Sequence, residues 1–350
     1  MTTAVSSTKL RNAFSYCVKQ VRSNDYENYL CALHLPAGPR AAAFALRAFN
    51  IETAQAGDMK ETNLAMMRLA WWRDAVDGLY KKKTLEHPVV QALGAVISEN
   101  RLSKHWFTRL LEARMMDLDS TSPLSIAEVE RYAEDTASSL LYLTLEASGV
   151  RNTSADHAAS HIGKTAGMGL LLRASPYHGA RRRSYIPLET AAKYGLAQEE
   201  MYRGQKLEAL ANAVHEVIQH IHACHFSYSS CFHCLLITKW SCSSFDVKIK
   251  RFVSFWAGRY PFNGLLVFLV SMQVASVANS HLDKARSLAS TVPAPAIPVL
   301  LPAVPAGVLL QTLERVNFNV FDPKLVRGVC GISPLWMHLK LKWHAYKETY

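Results

Sequence analysis

The sequence predicts an all-α protein, and three observations carry that prediction. Apolar residues recur at steps of three or four through most of the 350 positions, which gathers them on one stripe of a helix. The segment boundaries carry helix punctuation, with prolines and small polar residues at starts and cations at ends. Alanine, leucine, glutamate and lysine dominate outside one odd stretch. Hydrophobic residues make up 49% of the chain and charged residues 19%, enough to bury a full core.

The elements follow in order. The first 22 residues hold Lys9, Arg11, Lys19 and Arg22, several Ser and Thr, and no acid before Asp25. That composition is like a mitochondrial transit peptide and equally like a basic, frayed N-terminus. Residues 1–22 are therefore set apart from a domain expected over 23–350. NDYENYLCALHL leads to Pro36, and AAAFALRAFNIETAQAGD after it reads as an apolar helix of about five turns. Asn63 to Tyr80 is another helix, with Leu64, Met67, Trp71 and Val76 near one apolar stripe. Asp74 and Asp77, at i and i+3, share a face and read as a solvated or salt-bridged pair. Lys81, Lys82 and Lys83 close the helix, where cations suit its C-terminal dipole. Pro88 opens the next, and Ser103 to Asp117 forms one more. Ser125 and Glu128 have capping-box spacing ahead of a helix to Ala147. A further helix covers 154–173, followed by a basic loop and a Tyr185-Ile186-Pro187 turn.

Residues 217–273 differ from their surroundings. This stretch holds 11 aromatics and four of the seven cysteines, and its one acid is Asp246. Without it, Leu207, Leu210 and Val214 would join Val274, Ala278, Leu282 and Ala285 as one amphipathic helix. The expectation is an irregular insert, read as a retained intron or gene-model error translated in frame. Zinc ligation by Cys224, Cys231, Cys234 and Cys242 is the weaker reading, because a second Cys-x-x-Cys pair is missing.

The formal charge of +11 and pI near 9.3 favour anionic partners: diphosphates, an anionic membrane surface or nucleic acid. No nucleic-acid motif accompanies the charge, so nucleic acid is set aside. An odd cysteine count with four crowded together excludes a secreted disulfide scaffold. Residues 291–310 are apolar and long enough to span a bilayer. Five prolines (Pro293, Pro295, Pro298, Pro302 and Pro305) argue instead for a buried core helix entered through a loop. A basic, aromatic helix closes the chain.

The most informative segment is GKTAGMGLLLRASPYHGARRRSYIP, residues 163–187. Its frame resembles the second aspartate-rich helix of the squalene/phytoene synthase family, in which an Arg-Asp-x-x-Glu-Asp run and a basic spacer precede Arg-x-Tyr-Leu-Pro. Arg173, Arg183, Tyr185 and Pro187 fall in register, but the three carboxylate positions are Ala174, Tyr177 and His178. The first motif of that family follows Ala-Phe with Asp-Asp-x-x-Asp. After Ala48-Phe49 this chain offers Ala54, Gln55 and Asp58, with Glu52 nearby at a different helical angle. ALRAFNIETA, RLAWWRDAVDGLY, LLLRASPYHGARRR and VNFNVFDPKL together resemble one branch, the mitochondrial complex I assembly factor 6 group.

That resemblance implies an isoprenoid-synthase-like, single-domain helical bundle around a central cavity, interrupted by the insert. In the synthases, carboxylates of both motifs hold magnesium against an allylic diphosphate. Only Asp58 of the six expected acids is present here, so the resemblance implies a relative without catalytic residues, metal or cofactor. The alternative is a magnesium-dependent head-to-head prenyltransferase. Arg173, Arg181, Arg182 and Arg183, with Lys164, form either an anion site or a solvated basic loop. The branch implies work at the matrix face of the mitochondrial inner membrane. The implied partners are complex I subunits or assembly intermediates, the membrane surface, and a lipid or isoprenoid-like ligand in the old cavity.

Overall fold

The computed structural model describes residues 7–193, 196–203 and 263–350, which are helical with no strand among them. Helix α1 covers Ser7–Asn24, α2 Tyr26–Ala32 and α3 Ala37–Ala54, and a 3-10 turn follows at Gln55–Asp58. Then come α4 Thr62–Tyr80, α5 Pro88–Asn100, α6 Lys104–Leu118 and α7 Ile126–Ala133. A π segment, Glu134–Ser138, leads into α8 Ser139–Ala147, and α9 is Thr153–Arg173. Short helices α10 Ser175–Gly179, α11 Leu188–Lys193 and α12 Gln198–Arg203 come next. The rest is α13 Asn263–Ser287, α14 Ile297–Leu300, α15 Ala303–Arg315 and α16 Pro334–Tyr346.

Helices α3 and α9 form the centre. The AAAFALRAF run of α3 is buried nearly all round, from Ala42 through Phe49, as suits a helix with no polar face. Alanines keep it thin enough for α1, α5 and α8 to pack against it. Helix α9 starts at Asn152, whose side chain accepts a hydrogen bond from the Ala155 N–H at 3.0 Å, the ordinary N-cap arrangement. It is flanked by α13, α15 and the α7–π–α8 strand of helix. Two glycines let it approach the last of these. A Cβ on Gly163 would lie 2.5 Å from Ser138 Cα, and one on Gly167 would lie 2.6 Å from Ala133 Cβ. The Ser125 cap forms as expected: its hydroxyl accepts from the Glu128 N–H at 3.4 Å, and Glu128 reaches back to the Leu124 N–H at 2.8 Å.

Three expectations need correction. Residues 7–22 are not a frayed tail; they belong to α1, whose Ala13, Cys17 and Val21 recur every four residues and are buried against α3 and α5. The stripe on α4 is rotated from the one expected. Ala65, Leu69, Trp72, Val76 and Leu79 face the core, while Leu64, Met67 and Trp71 are exposed, Met67 by 67%. Small Ala65 and Ala75 are buried on the inward face while bulkier Leu64, Met67 and Trp71 are not, so bulk misidentified the face. Finally, position 273 is not a structural boundary. Residues 263–273 belong to α13, and Val267 and Val270 continue the buried series of Val274, Ala278, Leu282 and Ala285. The remainder of the expected insert, with its four cysteines, lies outside the described residues.

Helix α13 is keyed to its neighbours by a polar chain. His281 Nε2 meets Glu130 on α7 at 2.5 Å, and His281 Nδ1 meets His161 Nδ1 on α9 at 2.8 Å. Burial and the neighbouring His281 push His161 down to about 4. Among the described residues no single helix is long and apolar enough to cross a membrane. Residues 294–300 and 303–315 pass as a pair bent by 42°, yet Ile297, Val299, Leu300, Leu301, Val304 and Leu309 are buried in the core.

Candidate functional site

The two altered motifs meet. The 3-10 turn after α3 presents Asp58, and α9 ends so that Pro176 opens α10 and brings Tyr177 beside it. The Tyr177 hydroxyl donates a hydrogen bond to Asp58 Oδ1. The Arg181 guanidinium lies 3.7 Å from the Tyr177 ring centroid, and its Nε is 4.0 Å from Asp58 Oδ1. Burial and the Asp58 carboxylate both raise the Tyr177 hydroxyl above its ordinary value, so it stays a proton donor at neutral pH. The one carboxylate in either motif is thus held by a phenol and a cation.

Magnesium requires several oxygen ligands in near-octahedral geometry. Ala54 and Ala174 supply methyl groups, Gln55 a neutral amide, and Tyr177 a donor already committed to Asp58. His178 supplies an imidazole, a poor partner for so hard an ion. Among the described residues no group of three His, Cys, Asp or Glu side chains is placed to hold a metal. The donor set at these positions does not fit the ion.

Glu52 turns away from this mouth, as its helical angle predicts. It accepts from the Tyr16 hydroxyl at 2.8 Å and from Arg68 Nη2 at 2.9 Å, tying α1 and α4 to α3. Of the aspartates on α4, Asp77 pairs with Lys104 at 3.0 Å and Asp74 is exposed.

The four arginines point to different partners. Arg173 Nη1 lies 2.6 Å from Glu27 on α2 and 3.5 Å from Cys330 Sγ. Burial disfavours both charges of the Arg173–Glu27 pair, but their mutual attraction outweighs it, leaving Glu27 below the usual carboxylate range and Arg173 above its own. Arg183 turns to α6, where its Nη2 is 3.0 Å from Asp117 Oδ2 and also donates to the Asp117 and Ser120 carbonyls. Arg182 sits at φ 55° with Glu199 at 3.8 Å. Arg181 and Arg183 therefore share the mouth, while Arg173 anchors the far side of the turn. Lys164 on α9 lies near Glu134, which burial pushes up but hydrogen bonds from Tyr142, Ser160 and Ser138, and then the Lys164 charge, bring below the ordinary range.

Around Asp117 the structure joins motif residues to two that sequence reasoning did not single out, Asp117 itself and Tyr132. Tyr185 donates to Asp117 Oδ2 at 2.6 Å, Tyr132 lies tilted against Tyr185 with ring centroids 5.8 Å apart, and His178 meets the Tyr185 ring edge-on at 4.8 Å. Burial, then the Arg183 charge, pushes His178 down to about 4; the imidazole is neutral at pH 7. Burial also raises Asp117, with Arg183 and Tyr185 opposing it. A cavity of about 300 Å³ opens beside this cluster, lined by Asp117, Arg131, Tyr132, Asp135, Arg183 and Tyr185 among others. Its wall is mixed: Ala113, Met116, Leu124 and Val129 line it beside the charged and hydroxyl groups. Tyr185 was visible in the motif; Asp117 and Tyr132 were not, since no spacing links them to it.

Comparison with known proteins places this geometry. Residues 21–226 match the family model for squalene/phytoene synthase. The chain is 32% identical over 336 residues to human "NADH dehydrogenase (ubiquinone) complex I, assembly factor 6", covering 96% of this chain and 82% of that protein. It is 34% identical over 310 residues to the Drosophila melanogaster homolog of that factor, covering 87% and 76% respectively. Among solved structures, a dehydrosqualene synthase in complex with ligand superposes with a TM-score of 0.68 at 14% identity, covering 97% of this chain and 99% of that one. The squalene synthase HpnC of Alicyclobacillus acidocaldarius gives 0.63 at 16% identity, covering 89% and 97%. Identities that low speak to the fold alone.

Proposed function

The chain belongs to the squalene/phytoene synthase family, and from that premise we propose that it is an assembly factor for respiratory complex I, not a prenyl-transferring enzyme. The observation that carries this reading is the fate of Asp58. Ionising an allylic diphosphate needs a cluster of divalent ions, and such a cluster needs several free carboxylates. Here one carboxylate remains, and Tyr177 and Arg181 occupy it. The relatives named as complex I assembly factor 6 align over nearly the whole chain, which supports the same role for this protein.

In this reading the protein is mitochondrial, works on the matrix side and meets the inner membrane peripherally. Its partners are complex I subunits or assembly intermediates, and any ligand of the old site is bound without turnover. The test is genetic and quantitative. Cells lacking the protein are expected to lose most assembled complex I on native gels. Re-expression of the wild type and of Asp58→Asn should restore it equally. Normal complex I in the deficient cells would remove the assembly role. Failure of Asp58→Asn alone, at equal protein level, would point back to chemistry at the motif, the magnesium-dependent prenyltransferase alternative.

A further inference from the structure

The C-terminal helix α16 presents an unusual outer face. Trp336, Leu339, Trp343 and Tyr346 follow one another at steps of three, four and three, so they form a single stripe. All four are exposed, Trp336 by 56%, Trp343 by 60% and Tyr346 by 79%. The helix is nonetheless firmly docked: Met337 and Leu341, on the opposite side, are completely buried, and α16 packs on α15 and α2. Its first turn is capped by Ser333, whose hydroxyl accepts from the Trp336 N–H at 3.3 Å. The stripe is therefore held outward by a rigid seat.

The charges within the helix are all of one sign, with Glu348 just beyond its end. From Pro334 to Lys347 there is no Asp or Glu, while Lys340, Lys342 and Lys347 are present. At roughly 100° per residue, Lys340 and Lys347 border one edge of the stripe and Lys342 the other. Lys347 Nζ lies 5.1 Å from the Trp343 ring centroid and 5.9 Å from that of Tyr346, so the cation and the aromatic rings form one surface. His344, beside them, is lowered by burial and by nearby Arg286 and Lys340.

We propose that this face of α16 is the element by which the protein docks on an anionic phospholipid bilayer. Tryptophan and tyrosine have an apolar body and a polar edge and favour the membrane–water interface. Lysines on the flanks can keep their charge at the headgroups while their stems lie along the acyl boundary. The choice of cation separates lipid from protein: protein interfaces favour arginine and avoid lysine, and this helix carries lysine without arginine. Over ten residues the stripe spans roughly 15 Å, a length suited to lying in the interface and too short to cross it. This assignment rests on the proposed work at the inner membrane, and names the surface that makes contact.

The test pellets the full chain with vesicles of phosphatidylcholine alone or mixed with an anionic phospholipid. The wild type should bind the mixed vesicles, lose most binding at high salt and bind phosphatidylcholine poorly. Replacing Lys340, Lys342 and Lys347 with Gln should weaken binding to mixed vesicles on the order of 100-fold, since each basic residue near such a surface contributes roughly fivefold. Replacing Trp336, Leu339 and Trp343 with Ser should weaken it at least tenfold even at low salt. These side chains are exposed, so thermal melts of both variants should match the wild type. Wild-type binding unchanged in either triple variant would overturn the assignment, because another surface must then make the contact. A wild type that restores complex I in deficient cells but ignores anionic vesicles would also overturn it, leaving the assembly role intact. Variants that bind vesicles normally yet fail to restore complex I would make α16 a protein contact instead. A wild type that fails to restore complex I would strike the assembly reading itself, whatever the vesicles show.

Discussion

Helix α9 has two regions held in place in different ways. Its middle is set by packing: Gly163 and Gly167 press against Ser138 and Ala133 with no room for a methyl group, and Ile162, Thr165 and Met168 are fully buried. Its C-terminal end and the α10 turn carry Arg173, Ala174, Tyr177 and His178, where the family resemblance leads one to expect acids beside the arginine. The difference separates two kinds of constraint. A close helix contact is required by the fold whatever the protein does, whereas clustered carboxylates repel one another and need a cation to hold them together. Once no cation is used, a neutral phenol–carboxylate bridge is the easier arrangement. Arg173, at the end of the helix, has a partner within the fold, Glu27 at 2.6 Å.

The sharpest way to break this division is at Arg173. Arg173→Met should destabilise the protein by about 3–5 kcal/mol, because it leaves Glu27 buried without its counter-charge. Urea unfolding measures this, and the double variant Arg173→Met with Glu27→Gln should recover much of the loss. A small effect of the single variant would mean that Arg173 is kept for a ligand and not for the fold.

Gly163→Ala comes next. The added methyl meets backbone atoms of the π segment, which cannot move aside like a flexible side chain, so a loss of about 3 kcal/mol is expected, the upper end for overpacking. An unchanged thermal melt would show that α9 and α7–α8 are less rigidly apposed than this account requires.

Acid titration probes both regions together. His178 at the mouth and His161 in the packed middle are each lowered to about 4. Both start near 6.5 when unfolded, so the unfolded chain takes up protons first. Stability should therefore fall as pH drops from about 6.5 to 4 and then level off for these groups, by about 1–2 kcal/mol each after allowance for partial exposure. His178→Phe should remove part of that slope when unfolding is measured at several pH values; an unchanged slope would place the titration elsewhere.

The smallest effect belongs to the bridge. Tyr177 and Asp58 are largely exposed, by 43% and 44%, and exposed charged contacts contribute at most about 1 kcal/mol. Tyr177→Phe should hardly move the melting temperature. A large loss would make the bridge a structural clamp instead of a neutralised remnant.

Much of this was legible in the chain. The end of α4 followed from the Lys81–Lys83 run and the start of α7 from the Ser125–Glu128 cap, because these signals act locally. Also readable in the chain were Ala54, Gln55, Ala174 and His178, standing where the family resemblance leads one to expect acids. What escaped was long-range. The Tyr177–Asp58 contact joins residues 119 positions apart, and no periodicity encodes it. Adjacent Trp71 and Trp72 lie about 100° apart on a helix, so bulk could not say which faced inward; Ala65 and Ala75, buried on the inward face, were the better guide. That residues 263–273 join α13 was hidden because Val267 and Val270 continue its buried spacing from within a stretch of unlike composition.

The central claim is that the meeting point of the two motifs no longer assembles magnesium around a diphosphate. The direct measurement is diphosphate release from farnesyl or geranylgeranyl diphosphate by the purified full-length chain with magnesium, beside the Asp58→Asn variant. The account predicts release no faster than the protein-free background for both proteins. Release by the wild type that disappears in Asp58→Asn would contradict it.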